Sequence, residues 1–159
     1  MKKLLEKLGI HNWDDFKRLF WQFFKFGLVG LSNTAIAYSI DMLGFYVLLA
    51  ETPWPERVKI AAISLVAFIV SVSNSYFWNN RYVFQDGTHR TFRAHLNALL
   101  RMAASYAFTG LLLGPLLKVW IYEAGVPYWL SGPLTLIVTV PLNFLLNKFW
   151  AFKKGNEKE

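Results

Sequence analysis

The chain has no cysteine among its 159 residues, so disulfides are excluded, as are thiolate metal sites and cysteine nucleophiles. Charge is also scarce: Asp, Glu, Lys and Arg make up 17% of the residues against 55% hydrophobic ones, far from the balance of a water-soluble domain. Acids are the rarer sign, 10 against 17 basic residues, and only Asp41 falls inside a long apolar stretch. There is no paired acid, serine nucleophile or phosphate loop, so no catalytic residue is assigned. His11, His89 and His95 lack metal-ligand spacing and are expected in solvent or against lipid, so no metal or cofactor is implied. No small-residue cleavage pattern follows the first apolar stretch, which therefore reads as a retained span and not as a cleaved signal.

Long apolar runs are what the chain has. Backbone polar groups cannot stay unpaired in hydrocarbon, and about 20 apolar residues of helix cross about 30 Å of it. The pattern predicts an all-α polytopic membrane protein with four transmembrane helices near residues 23–49, 58–79, 97–119 and 128–150. Seven Trp and seven Tyr suit the two interfaces. Of the Lys and Arg residues, six precede the first span up to Lys25, four run from Arg81 to Arg101 and four follow from Lys148, against three (Arg57, Lys59, Lys118) on the other side. The positive-inside rule then places both termini and the central loop in the cytoplasm. The same basic surface is suited to anionic membrane lipids, and four apolar spans argue against nucleic acid as its partner.

Asn12 with Asp15 reads as a helix start, and Phe16, Leu19, Phe20 and Phe23 share a face. Residues 1–22 are therefore expected as an amphipathic interfacial segment or as an extension of the first span, 23–152 as the membrane domain and 153–159 as a cytoplasmic tail. The prolines of Glu51-Thr52-Pro53-Trp54-Pro55-Glu56 predict a short external turn, and Gln85-Asp86-Gly87-Thr88 a cytoplasmic one. Pro115, Pro133 and Pro141 are expected to bend or locally open the helices of the second half.

The second and fourth spans end alike. Ser75-Tyr76-Phe77-Trp78-Asn79-Asn80-Arg81-Tyr82-Val83-Phe84 aligns with Asn143-Phe144-Leu145-Leu146-Asn147-Lys148-Phe149-Trp150-Ala151-Phe152 at an offset of 68. Asn79 meets Asn147, Phe84 meets Phe152, Tyr76 meets Phe144 and Tyr82 meets Trp150. With two spans per half, this suggests two parallel two-helix repeats; simple anchoring of helix ends by Asn, cations and aromatic rings would give the same residues.

With Phe23-Phe24-Lys25-Phe26-Gly27-Leu28-Val29-Gly30 and residues 74–84 and 143–152, the chain resembles the GtrA family of small four-span bacterial membrane proteins over about residues 20–153. The resemblance implies translocation of a polyprenyl-phosphate-linked sugar, or of the lipid carrier, across the bacterial cytoplasmic membrane for surface polysaccharide or related glycan synthesis. The family usually has Asn and an aromatic at the start of each repeated ending. Here the first copy has Ser75-Tyr76, with Asn74 displaced by one. The alternatives are an accessory subunit of a membrane glycosyltransferase and an undecaprenyl-phosphate recycling flippase.

Such a lipid keeps its tail in hydrocarbon while its phosphate and sugar need polar partners. Lys25, Arg81, Arg101 and Lys148 stand at the cytoplasmic span ends and form a candidate phosphate ring, whose plainer role would be snorkelling and topology control. Asn79 and Asn147 would offer amide hydrogens to phosphate or sugar oxygens, and Asn143 opens the second ending. Asp41, costly in lipid at about 2.5–3.5 kcal/mol on insertion scales, would bind sugar hydroxyls, titrate, or make a structural bond to Tyr106 or a neighbouring Ser. Asn33 and Asn74, with Thr34, Ser71, Ser73 and Thr109, are expected along the same interior route. Four helices enclose little volume, so a homo-oligomer is expected.

Overall fold

The computed structural model describes residues 11–84 and 91–152. The expected turn at 85–88, His89, the tail 153–159 and the basic residues at 2, 3, 7, 90, 153, 154 and 158 lie outside them. Helix α1 (Trp13–Leu43) is followed by α2 (Glu56–Trp78), α3 (Phe92–Lys118) and α4 (Tyr128–Leu146). Each runs on into a five-residue π turn: Gly44–Leu48, Asn79–Val83, Val119–Glu123 and Asn147–Ala151.

Local chemistry sets the helix starts. Asn12 caps α1 through the Asp15 backbone amide (2.8 Å), and Asp15 returns the bond to the Asn12 amide (3.3 Å), completing a capping box. From there α1 is one uninterrupted helix, about 46 Å long at 1.5 Å per residue. Residues 13–22 are therefore continuous in helix with the stretch expected as the first span. Pro55 and Pro127 occupy the N-cap positions of α2 and α4, where a missing N–H costs nothing. The predicted turn before Glu56 is present. Pro115, Pro133 and Pro141, expected as interruptions, lie within helices that continue past them.

Burial is mixed: a small apolar core around Phe26, Phe84, Met102, Phe144 and Phe152 coexists with fully buried polar side chains and a largely apolar surface. Among the described residues, the largest side chains below 2% exposure are Asn79, Asn147, Thr135, Ser75, Ser105 and Ser131, with Met102 the apolar one. Leu31 (68%), Leu111 (76%) and Ile137 (67%) face outward. In water such an arrangement would expose the apolar surface that normally drives folding; in hydrocarbon it hides the groups that need partners. Among the described residues three helical segments, Glu56–Val83, Phe92–Glu123 and Tyr128–Ala151, are long and apolar enough to cross a membrane on their own. Helix α1, expected as the first of four spans, is not among them. Its stretch carries Lys25, Ser32, Asn33, Thr34, Ser39 and Asp41, several of which bond to neighbouring helices. The chain is an all-α, multi-span membrane protein.

Helix α1 packs antiparallel to α2, with Asn33 beside Ser75 and Gly44 against Ile63. A Cβ on Gly44 would lie 2.9 Å from Ile63 Cγ1, so this glycine sets the approach of the two helices. At the other end of the bundle, the π turns bring aromatic rings together. Phe84 and Phe152 stack at 4.9 Å, Tyr76 stacks on Phe152 at 5.9 Å, and Phe84 meets Phe144 at 5.8 Å. Phe26 packs against both Phe84 and Phe144. The turns do this by closing an i+5 bond, from the Phe84 amide to the Asn79 carbonyl and from the Phe152 amide to the Asn147 carbonyl (2.8 Å each).

Candidate functional site

A hydrogen-bonded network joins α1, α2 and α3 within the bundle. Asn33 Nδ2 donates to Ser75 Oγ, Asn74 Nδ2 donates to Asn33 Oδ1 (2.8 Å) and Ser32 Oγ (3.1 Å), and Trp78 Nε1 donates to Asn74 Oδ1 (3.0 Å). Ser75 Oγ also pairs with the Tyr106 hydroxyl at 3.1 Å. Of the polar groups that make α1 a poor isolated span, Ser32 and Asn33 are thus satisfied by α2, whereas Asp41 is not.

A cavity of about 380 Å³ opens beside this network, bounded by Asn33, Asp41, Ser64, Ser71, Ser75 and Tyr106 among others. Its volume is within the range of small-ligand sites. Asp41 is half-buried, and among the described residues it has no hydrogen bond or ion pair. The alternative partner expected for it, Tyr106, is engaged by Ser75 instead. With Asn33 opposite Ser75 and Gly44 opposite Ile63, the antiparallel register sets Asp41 across from Ala67, whose small side chain leaves space, and between the turns carrying Ser64 and Ser71. Ser71 Oγ is buried without a partner among the described residues. A carboxylate, hydroxyls and an amide around such a volume can accept and donate hydrogen bonds to a polyhydroxylated group.

A second cavity, about 490 Å³, lies between α1, α3 and α4 and shares Thr34 and Tyr106 with the first. Asn143, Thr109 and Thr139 add further polar atoms, while Gly27, Gly30 and Gly110 leave room. A Cβ added to any of these glycines would meet nothing within 4 Å. Behind this cavity runs a polar ladder on α4 and its π turn: Ser131, Thr135, Thr139, Asn143 and Asn147, all buried. Thr135, Thr139 and Asn147 each donate to the carbonyl four residues back at 2.8–3.0 Å, and Asn147 Nδ2 reaches Asn143 Oδ1 (3.0 Å). The regular i+4 spacing was visible in the chain, yet Ser131, Thr135, Thr139 and Ser105 were not anticipated as interior groups.

The cations stand where the π turns end. Lys25 Nζ donates to the Tyr82 carbonyl (3.5 Å) and Arg101 Nη1 to the Trp150 carbonyl (3.4 Å), which are corresponding positions of the two endings. Terminal carbonyls lack partners within their own helices, and a cation beside them also opposes the helix dipole. Lys148 Nζ donates to Gln22 Oε1 (2.9 Å), and Gln22 Nε2 to the Val83 carbonyl (2.8 Å), so one side chain from α1 links both endings. Arg81 is exposed and lies over Tyr82, its guanidinium 5.7 Å from the ring.

Of the sequence-derived candidates, Asn33 and Asp41 line the first cavity and Asn143 the second, while Lys25, Arg81, Arg101 and Lys148 share the end of the bundle. Asn79 and Asn147 are fully buried and border neither cavity, and Asn74 bonds within the network. His95, expected in solvent or against lipid, is half-buried with Nδ1 at 2.5 Å from the Tyr76 hydroxyl. Among the described residues no His, Asp and Glu side chains gather in a group able to hold a metal ion.

None of the curated protein sequences compared with the chain matches it. Residues 25–152 match the GtrA/DPMS transmembrane domain, a span that takes in α1 from Lys25 onward, the other three helices, both cavities and the four cations of the bundle end. The chain belongs to the GtrA/DPMS transmembrane-domain family.

Proposed function

We propose that the protein translocates a polyprenyl-phosphate-linked sugar across the bacterial cytoplasmic membrane, for synthesis of a surface polysaccharide or related glycan. Family membership supports a role with this lipid class. The observation that carries the reading is Asp41: a half-buried carboxylate without a partner among the described residues, in the wall of a 380 Å³ cavity between apolar helices. A carboxylate kept there for structure alone would be paired, because an unpaired charge in hydrocarbon is costly. Sugar hydroxyls would donate to Asp41 and exchange hydrogen bonds with Ser64, Ser71 and Asn33.

In this reading α1 is the first of four spans, tolerated in lipid because α2 and its π turn satisfy Lys25, Ser32 and Asn33, with Asp41 left to the substrate. The two halves form parallel repeats, supported by matched contacts: Lys25 on Tyr82 and Arg101 on Trp150, then Tyr76 on Phe152 and Phe144 against Phe84. The cationic end faces the cytoplasm and draws the lipid phosphate through Lys25, Arg81, Arg101 and Lys148. Asn74, Asn79 and Asn147 hold the bundle that presents them. The protein acts without catalysis, as a homo-oligomer, and a membrane glycosyltransferase consumes or supplies its lipid.

Reconstitution in vesicles tests this directly. A labelled sugar headgroup on a polyprenyl phosphate should cross to the opposite leaflet with no glycosyltransferase present. Its retention on one side, with the protein inserted and monodisperse, would favour an accessory subunit. Movement of undecaprenyl phosphate alone would favour carrier recycling.

A further inference from the structure

The two cavities occupy different depths. Along α1 the larger is lined from Phe26 to Thr34, next to the aromatic and cationic end, and the smaller from Asn33 to Asp41, about 10 Å further along the helix. They meet only at Thr34 and Tyr106, which belong to both walls. The Tyr106 hydroxyl is tied across to Ser75 of α2, and Thr34 Oγ1 is turned onto the Gly30 carbonyl (3.2 Å). The larger cavity is equipped for a polar occupant. Asn143 is 7% exposed, its Oδ1 is taken by Asn147, and its amide hydrogens have no acceptor among the described residues. Thr109 and Thr139 give their hydroxyl hydrogens to backbone carbonyls, leaving oxygen lone pairs as acceptors.

We infer that the 490 Å³ cavity is a second, earlier binding site for the hydroxyl-rich sugar headgroup, and that Tyr106 with Thr34 is the partition it passes to reach the Asp41 cavity. This rests on the translocation proposed above and adds its route. The headgroup first enters beside the cations, with Asn143 donating to it and glycines 27, 30 and 110 leaving its volume free. Release of the Tyr106–Ser75 bond then opens the way between α1 and α3 to Ser71 and Asp41. The tail stays in lipid throughout, since both cavities open at the bundle surface.

The test uses the full chain in vesicles of phosphatidylethanolamine and phosphatidylglycerol, with radiolabelled hexosyl polyprenyl phosphate. Detergent-phase binding is measured alongside transfer. Gly30→Leu and Gly110→Leu fill the larger cavity from opposite walls and meet no neighbour at the Cβ. Each should lower both binding and transfer about ten-fold, the scale of losing a fitted pocket. Ala37→Leu, which fills the smaller cavity, should slow transfer while keeping binding. Tyr106→Ala should speed transfer of a disaccharide-bearing lipid relative to the hexosyl lipid, and Tyr106→Phe should speed both. Wild-type transfer in both glycine variants overturns the inference and leaves the translocase standing, whereas absence of transfer by the wild type overturns both. If neither glycine variant is monodisperse, Tyr106→Ala decides: an unchanged disaccharide-to-hexose ratio overturns the partition.

Discussion

Asp41 separates two physical roles that a single substitution to an apolar residue would confound. Asp41→Asn keeps the shape and the hydrogen-bonding capacity but removes the charge, whereas Asp41→Leu removes both and makes the helix easier to insert. If sugar hydroxyls donate to the carboxylate, vesicle transfer should fall for Asn and fall further for Leu at equal abundance. Near-normal transfer in both variants would remove Asp41 from the route. The cations make a different prediction, because a lipid phosphate is felt through charge. Lys25→Gln and Lys148→Gln should each weaken phosphate-lipid binding about five-fold, on the order of 1 kcal/mol per basic residue, and leave a neutral analogue unaffected. Equal weakening for both lipids would assign the lysines to holding the carbonyls and Gln22. At this scale the sequence was informative about charge, since Asp41 and the four cations stand out against apolar surroundings. It was less so about amides: Asn79 and Asn147 look like donors in a list of residues, but their burial depends on an extra residue per turn that composition does not reveal.

The endings of α2 and α4 illustrate how an element makes a motif intelligible. A π turn differs from an α turn by one residue, and periodicity over ten residues cannot resolve that, so the matching Asn and Phe of the two endings were legible as a likeness in sequence and not as a fold. In the structure the Asn carbonyl accepts the i+5 Phe amide, and the turn directs Phe84 and Phe152 into one stack. Phe84→Ala and Phe152→Ala should each destabilise the bundle by about 3–5 kcal/mol. Because the rings touch, the double variant should lose less than the sum, which thermal unfolding in matched detergent would check. Additive losses would mean that the two endings are packed independently. The start of α1 was legible in full, from Asn12 and Asp15. There the His11 backbone amide, assisted by the Arg18 guanidinium, holds the Asp15 carboxyl below its usual range. A lowered folded value means the cap is at full strength above the ordinary carboxylate range and weakens as pH falls through the lowered one. Amide exchange in the first turn, corrected for intrinsic rates, should therefore accelerate in acid, and Asp15→Asn should abolish that dependence.

For the whole molecule, buried Ser, Thr and Asn beside a small aromatic core of Phe26, Phe84, Phe144 and Phe152, under a surface rich in Leu, Ile and Val, are the physical reason the chain suits a bilayer. Apolar length is local, so α2, α3 and α4 stand out as long apolar helices; the stretch expected as a first span near 23–49 is not among them, since it carries Lys25, Asn33 and Asp41, and the partners that Asn33 finds on α2 depend on packing that a window along one segment cannot register. The two cavities were illegible for the same reason, although Asn33, Thr34, Ser71 and Thr109 had marked the interior between them. Orientation remains a matter of charge asymmetry, and the absence of cysteine makes it measurable: Glu51→Cys and Glu123→Cys should react with an impermeant thiol reagent in intact cells, and Arg93→Cys should not. The most direct test of the protein's role is transfer of a labelled hexosyl polyprenyl phosphate by the purified chain in sealed vesicles, without any glycosyltransferase. A translocase should carry the headgroup across and lose that activity with Asp41→Leu. Headgroups that stay on their original leaflet, despite protein that is inserted, oriented and monodisperse, would contradict it.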